Sequence, residues 1–116
     1  MEISYKIVAT VQVIAMRGEL DAKTAPDVQV QVLTLAGANE DILLDMRQVT
    51  YVSSAGLRML LLLYRKLSSS ESRLALVGLS ELVRDTMETT GFLTHFATYS
   101  QLDEGLQALR RGPDTP

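Results

Sequence analysis

The sequence predicts an α/β domain on a mixed, mostly parallel sheet with about four helices, in the order β-β-α-β-α-β-α-β-α. Three observations carry that expectation. Short β-branched or apolar runs recur along the whole chain. Between them lie stretches whose apolar residues fall on one helical face. Most of those stretches open on Ser or Thr and several close near a glycine, the start and stop signals of helices. Strands that alternate with helices pair in parallel and are covered by those helices on at least one face.

Ile3 to Ala9 and Val11 to Met16 are rich in β-branched residues, and Ile7, Ala9, Val11 and Val13 recur at odd positions, the period of a strand. A turn near Thr10 makes them a hairpin or a bent pair, with Gly18 expected to end the second strand. Thr24-Ala25-Pro26 reads as a helix start, a capping oxygen followed by a proline in the first turn, where a missing N–H costs nothing. Val28, Val32 and Leu35 share a face of that helix, and Gly37 is its expected stop. Ile42 to Met46 is a short apolar run between polar residues, the mark of a buried central strand. Ser53 or Ser54 then caps a helix from Ala55 to about Leu67, whose apolar residues cover most of its circumference.

Ser68-Ser69-Ser70 reads as a loop, and Arg73 to Val77 as a strand closed by Gly78. Ser80 caps a helix from Glu81 to about Thr89, ended by Gly91. The last strand is expected within Phe92 to Thr98. Ser100, with Asp103 three residues on, resembles a capping box for a final helix lined by Leu102, Leu106 and Leu109. One domain over residues 1–111 and a disordered tail over 112–116 are expected.

With 116 residues, 47% hydrophobic and 22% charged, the chain suits one globular domain. It has no cysteine, which removes disulfides and Cys-ligated zinc and fits a reducing compartment. A net charge of −3 without a basic run argues against nucleic acid as a partner. The longest apolar run, Met59 to Tyr64, is far too short for a membrane span, and the N-terminus lacks a signal-peptide layout. A cytoplasmic protein with no membrane contact is the expectation.

Little in the sequence suggests catalysis. His95 is the only histidine, and it has no obvious partner. Gly18-Glu19-Leu20-Asp21 lacks the further glycines of a nucleotide-binding turn. No carboxylates show the spacing of a calcium loop. No enzyme activity, cofactor or metal is expected.

Two segments stand out: Arg17-Gly18-Glu19-Leu20-Asp21 with Thr24-Ala25-Pro26 following, and Leu44-Asp45-Met46 leading through Val52-Ser53-Ser54-Ala55-Gly56-Leu57-Arg58. Together, and in this order, they resemble the STAS family, in particular the bacterial anti-sigma factor antagonists. The resemblance runs from about Ile3 to Leu109. It implies a single STAS-type domain that binds an anti-sigma factor and so frees a sigma factor for transcription. It also implies that this partner is a serine kinase with an ATP-binding kinase fold, and that a metal-dependent Ser/Thr phosphatase resets the switch. The phosphorylated serine of the family lies two residues before the glycine, which is Ser54 here. The family often has Asp in the preceding place, where this chain has Ser53, a competing acceptor. Asp21 closes the first motif and lies near the phosphosite in family folds. Partner contact is expected from Asp21, Ser53, Ser54, Gly56, Leu57 and Arg58.

Elementary physics supports the same serine. A helix N-terminus offers unpaired N–H groups and a favourable dipole, so it accepts a phosphate without unfolding. Phosphorylation adds about −1.5 to −2 charges, which a docking surface built for a hydroxyl does not tolerate. Gly56 lets a partner or the adjacent loop approach the first turn closely. Two other readings fit the same residues. One is a non-phosphorylated STAS accessory subunit of a membrane-transport ATPase. The other is a small-molecule or nucleotide sensor using the C-terminal ends of the strands.

Overall fold

The computed structural model describes residues 1–36 and 40–110. The strands are β1 (Glu2–Val8), β2 (Val11–Leu20), β3 (Asp41–Val52), β4 (Leu74–Val77) and β5 (Ala97–Tyr99). The helices are α1 (Ala25–Leu35), α2 (Ser54–Ser69), α3 (Glu81–Thr89) and α4 (Leu102–Arg110), with a 3-10 turn at Leu93–His95. The sheet order is β1-β2-β3-β4-β5. β1 and β2 form an antiparallel hairpin, Val8 opposite Val11 across a two-residue turn, and every later pair is parallel. The predicted element order and sheet type are those found. Gly37 and the 112–116 tail lie outside the described residues.

Both faces of the sheet are covered at its centre, which is why Val11 to Ile14 and Ile42 to Met46 are buried without alternation. On one face Ile14, Met16, Leu44 and Met46 pack with Val28 and Val32 of α1, Leu57, Leu60 and Leu63 of α2, and Val83 and Met87 of α3. On the other, Val13, Leu43, Ala75 and Val77 meet Leu102, Leu106 and Leu109 of α4. Each buried leucine contributes about 2 kcal/mol. Leu57, Leu60, Leu63 and Leu67 are all buried. Their sum exceeds the helix-propensity cost of Gly56, about 1 kcal/mol, so packing holds α2.

Gly18 does not end β2. The strand runs on to Leu20, with Gly18 at a φ of +126° inside it. β3 likewise continues through Arg47 to Val52, well past the predicted end at Met46. Its ladder with β2 slips between Ala15 and Arg17 and again between Gly18 and Glu19. These irregularities leave Met46, Val49 and Val52 buried at a spacing of three. A strand with bulges loses the period of two by which a sequence reveals it.

Two helix starts also differ from expectation. Thr24 stands at the N-cap of α1, but its side chain does not cap. Its hydroxyl instead donates to the Glu19 carbonyl and accepts from the Asp21 N–H. α4 begins one residue later than Ser100 implied, and the Gln101 N–H donates to Glu104 at 2.9 Å. Glu104 thus fills the place assigned to Asp103. His95 lies exposed in the 3-10 turn, outside the last strand.

Asp45 is a buried carboxylate at the centre of β3. Burial pushes its pKa up, but this is outweighed by the Arg47 side chain, the Arg47 N–H and the charges of Arg47 and Lys6, so the pKa ends below the usual range. Arg47 donates from Nε and Nη2 at 2.9 and 2.7 Å. A depressed pKa contributes stability above the ordinary carboxylate range, and this is lost as pH falls through the folded-state value. Asp45→Asn should therefore narrow the gap between urea midpoints at neutral pH and at about pH 3. An unchanged gap contradicts this.

Candidate functional site

The site is built where β2 and β3 end side by side. Leu20 pairs with Val52, and the Ser53 N–H donates to the Leu20 carbonyl at 2.9 Å. That bond carries the ladder one residue beyond β3 and fixes where the chain turns into α2. Ser53 keeps an extended backbone, φ −85° and ψ 173°, and its Oγ accepts from the Gly56 N–H at 3.2 Å. The Ser53 carbonyl takes the first helical bond, from Leu57. Ser53 is therefore the N-cap. Ser54 is the first helical residue and is exposed. The sequence left the cap open between these two serines. The structure assigns it to Ser53, so the capping role considered for the Ser54 hydroxyl belongs to its neighbour.

This also accounts for a departure from the expected motif. Asp and Ser are about equally good N-caps, so Ser53 keeps the acceptor oxygen that an Asp would supply there.

Gly56 is buried, and a Cβ there would stand 2.6 Å from the Leu20 carbonyl oxygen and 3.1 Å from Val52 Cγ1. Glycine is required by the chain's own packing, the second of the two reasons the sequence offered. Leu57, 1% exposed, belongs to the core. Gly56 and Leu57 therefore lie beneath the surface, where they hold the first turn in place. Arg58 is exposed and follows Ser54 by one helical turn, on the same side of α2.

Asp21 lies half-buried in the loop after β2. Its Oδ1 accepts from the N–H groups of Thr24 and Lys23 at 3.1 and 2.9 Å. Those bonds, Thr24 first and then Lys23, hold its carboxyl below the usual range. Asp21 therefore orders the loop that delivers the chain into α1, next to the Ser53–Ser54 turn.

Between the first turns of α1 and α2 runs a shallow groove of about 290 Å³. Ala22, Pro26 and Gln29 form one wall, and Ala55, Arg58, Met59 and Leu62 the other. Leu62 is 39% exposed, one turn beyond Arg58 on the side of α2 that carries Ser54. Sequence reasoning missed this groove. Its one signal was that the apolar residues of α2 exceed what a single core-facing stripe needs. Among the described residues no cluster of three or more His, Cys, Asp or Glu could hold a metal ion. Among the same residues no helix is long and apolar enough to cross a membrane.

The STAS domain family model matches residues 2–105. The chain belongs to the STAS domain family. The anti-sigma-B factor antagonist of Listeria monocytogenes is 36% identical over 80 residues, 67% of this chain and 69% of its own. BtrV of Bordetella bronchiseptica, assigned by name to the anti-sigma factor antagonists, is 27% identical over 96 residues, 82% and 83% of the two chains. The crystal structure of an anti-sigma factor antagonist from Mycobacterium paratuberculosis superposes with a TM-score of 0.84 at 26% identity, covering 94% and 93%. The match spans both sequence segments and the whole sheet, so the Ser53–Ser54 turn of this STAS domain sits inside the shared fold and not in an appended loop.

Proposed function

We propose that this STAS domain is a cytoplasmic anti-sigma factor antagonist that acts by binding and is switched off by phosphorylation of Ser54. The observation that carries this is the division of labour between the two serines. Ser53 is occupied as the cap, while Ser54 is exposed at the start of a helix and is not the cap. An exposed hydroxyl is open to a kinase. A phosphate on it would rest beside first-turn N–H groups and the positive end of the helix dipole.

The partner is an anti-sigma factor that is itself a serine kinase of the ATP-binding kinase fold. It would dock on Asp21, Ser53, Ser54 and Arg58 and seat an apolar side chain in the α1–α2 groove, with Gly56 and Leu57 supporting the turn from below. A metal-dependent Ser/Thr phosphatase would remove the phosphate. The names of the relatives and the match over both motifs support this reading.

The test is incubation with the cognate kinase and ATP, followed by mapping of the phosphate by mass spectrometry. Wild type should be labelled on Ser54. Ser54→Ala should be unlabelled there, and Ser53→Ala should remain a substrate. Phosphate confined to residues other than Ser53 and Ser54 overturns the switch.

A further inference from the structure

β1 is an edge strand, and among the described residues no element pairs with its outer side. Val8 and Val11 close a two-residue hairpin, so the even residues of β1 direct their backbone N–H and C=O groups at β2. Ile3, Tyr5 and Ile7 direct theirs outward. The side chains of these three share the sheet face that carries α1. Tyr5 is 57% exposed, Ile7 61%, and Val30 on α1 63%. Ile3, Tyr5, Val30 and Leu35 line a groove of about 360 Å³ at this edge. An unpaired, flat, apolar edge is a template for another strand.

We propose that the strand which pairs there is β1 of a second copy, giving a two-fold dimer with one continuous sheet. The argument is self-complementarity. Glu2, Ser4 and Lys6 alternate with the apolar residues and point to the opposite face. In an antiparallel register centred on Ser4, Ser4 faces its own copy. Ile3 faces Tyr5 and Glu2 faces Lys6, each pair formed twice by symmetry. A register centred on Tyr5 instead leaves Lys6 opposite Ser4 and Glu2 opposite Val8, with neither charge answered by the second copy.

The charges within one copy fit the first arrangement. Glu2 stands 3.7 Å from Arg17 across the hairpin. Lys6 is opposite Val13 and forms no ion pair among the described residues. A second copy would place its Glu2 beside that lysine, and its Tyr5 and Ile7 would extend over the edge groove. The edge groove and the α1–α2 groove share no lining residue, so the proposed pairing edge is separate from the groove beside Ser54.

The test is sedimentation equilibrium over a concentration series of wild type, Lys6→Glu, Glu2→Lys and the double charge swap. Each substitution is at an exposed position, and circular dichroism checks that the fold is kept. Wild type should dimerise. Each single variant, which sets like charges opposite each other twice, should weaken the dimer about tenfold or more. The double swap should restore it. Amide exchange at Ile3, Tyr5 and Ile7 should slow as wild-type concentration rises. A wild type that stays monomeric to about 1 mM overturns the proposal. So does a dimer indifferent to the single charge changes, or a double swap that fails to recover it.

Discussion

Ser54→Asp should lose the anti-sigma factor, with affinity falling about a thousandfold in a titration by calorimetry, while Ser54→Ala stays within a few-fold of wild type. The size follows from where the charge would go. Ser54 opens α2 beside a groove whose walls are mostly small or apolar residues: Ala22, Ala25, Pro26, Ala55, Met59 and Leu62. A docked partner would remove this surface from water. Burying an unpaired carboxylate costs several kcal/mol, and about 4 kcal/mol is a thousandfold in a dissociation constant. Arg58, one turn on, can answer part of the new charge, which sets the loss below a full Born penalty. The alanine variant separates charge from hydroxyl: if both substitutions weaken binding equally, the switch is not electrostatic.

Gly56→Ala should destabilise the domain by about 1–3 kcal/mol, seen as a lower urea midpoint with an unchanged slope. Two effects oppose each other. Alanine gains up to about 1 kcal/mol in helix propensity over glycine. Its Cβ would stand 2.6 Å from the Leu20 carbonyl oxygen, which is backbone and already accepts from Ser53. That carbonyl can retreat only by breaking the bond that carries the β2–β3 ladder into the Ser53 turn, so the clash wins. Gly105 in α4 is the control. A Cβ there meets Leu43 Cδ1 at 2.8 Å and Val77 Cγ2 at 2.9 Å, both side-chain methyls. Both residues are fully buried and must shift to admit it, so Gly105→Ala should also destabilise by about 1–3 kcal/mol, but without disturbing the Ser53 turn. A Gly56→Ala protein as stable as wild type would mean that the β2 end is soft, and that the position of Ser54 is not set by this contact.

Much of the fold was legible because the helices carry their own punctuation. Ser80 and Gly91 bracket α3 as the sequence indicated, since Ser80 accepts from Val83 and Gly91 takes a φ of +80°. The misreadings share one cause. Gly18 looked like a stop because glycine usually is one, yet β2 uses it inside a bulged strand whose conformation is held by β3. Arg47, Gln48 and Thr50 fell beyond the expected end of the strand because the bulges broke the alternation. At the site, the serine pair and Asp21 were visible as residues. Which serine caps, and that Gly56 and Leu57 lie under the surface, depended on Leu20, more than thirty residues earlier in the chain.

The sequence by itself determined the order of elements, the mixed, mostly parallel sheet and the place of the serine pair at a helix start. Those follow from local preferences: apolar period, capping oxygens, and glycines after helices. Tertiary structure alone decided how far β2 and β3 extend, and that Ser53 turns inward to cap while Ser54 faces solvent. It also decided that α1 and α2 leave a groove beside Ser54. The physical reason is that these features are fixed by contacts between strands and helices far apart in the chain, above all the Leu20 carbonyl and its bond from Ser53, which no local pattern encodes.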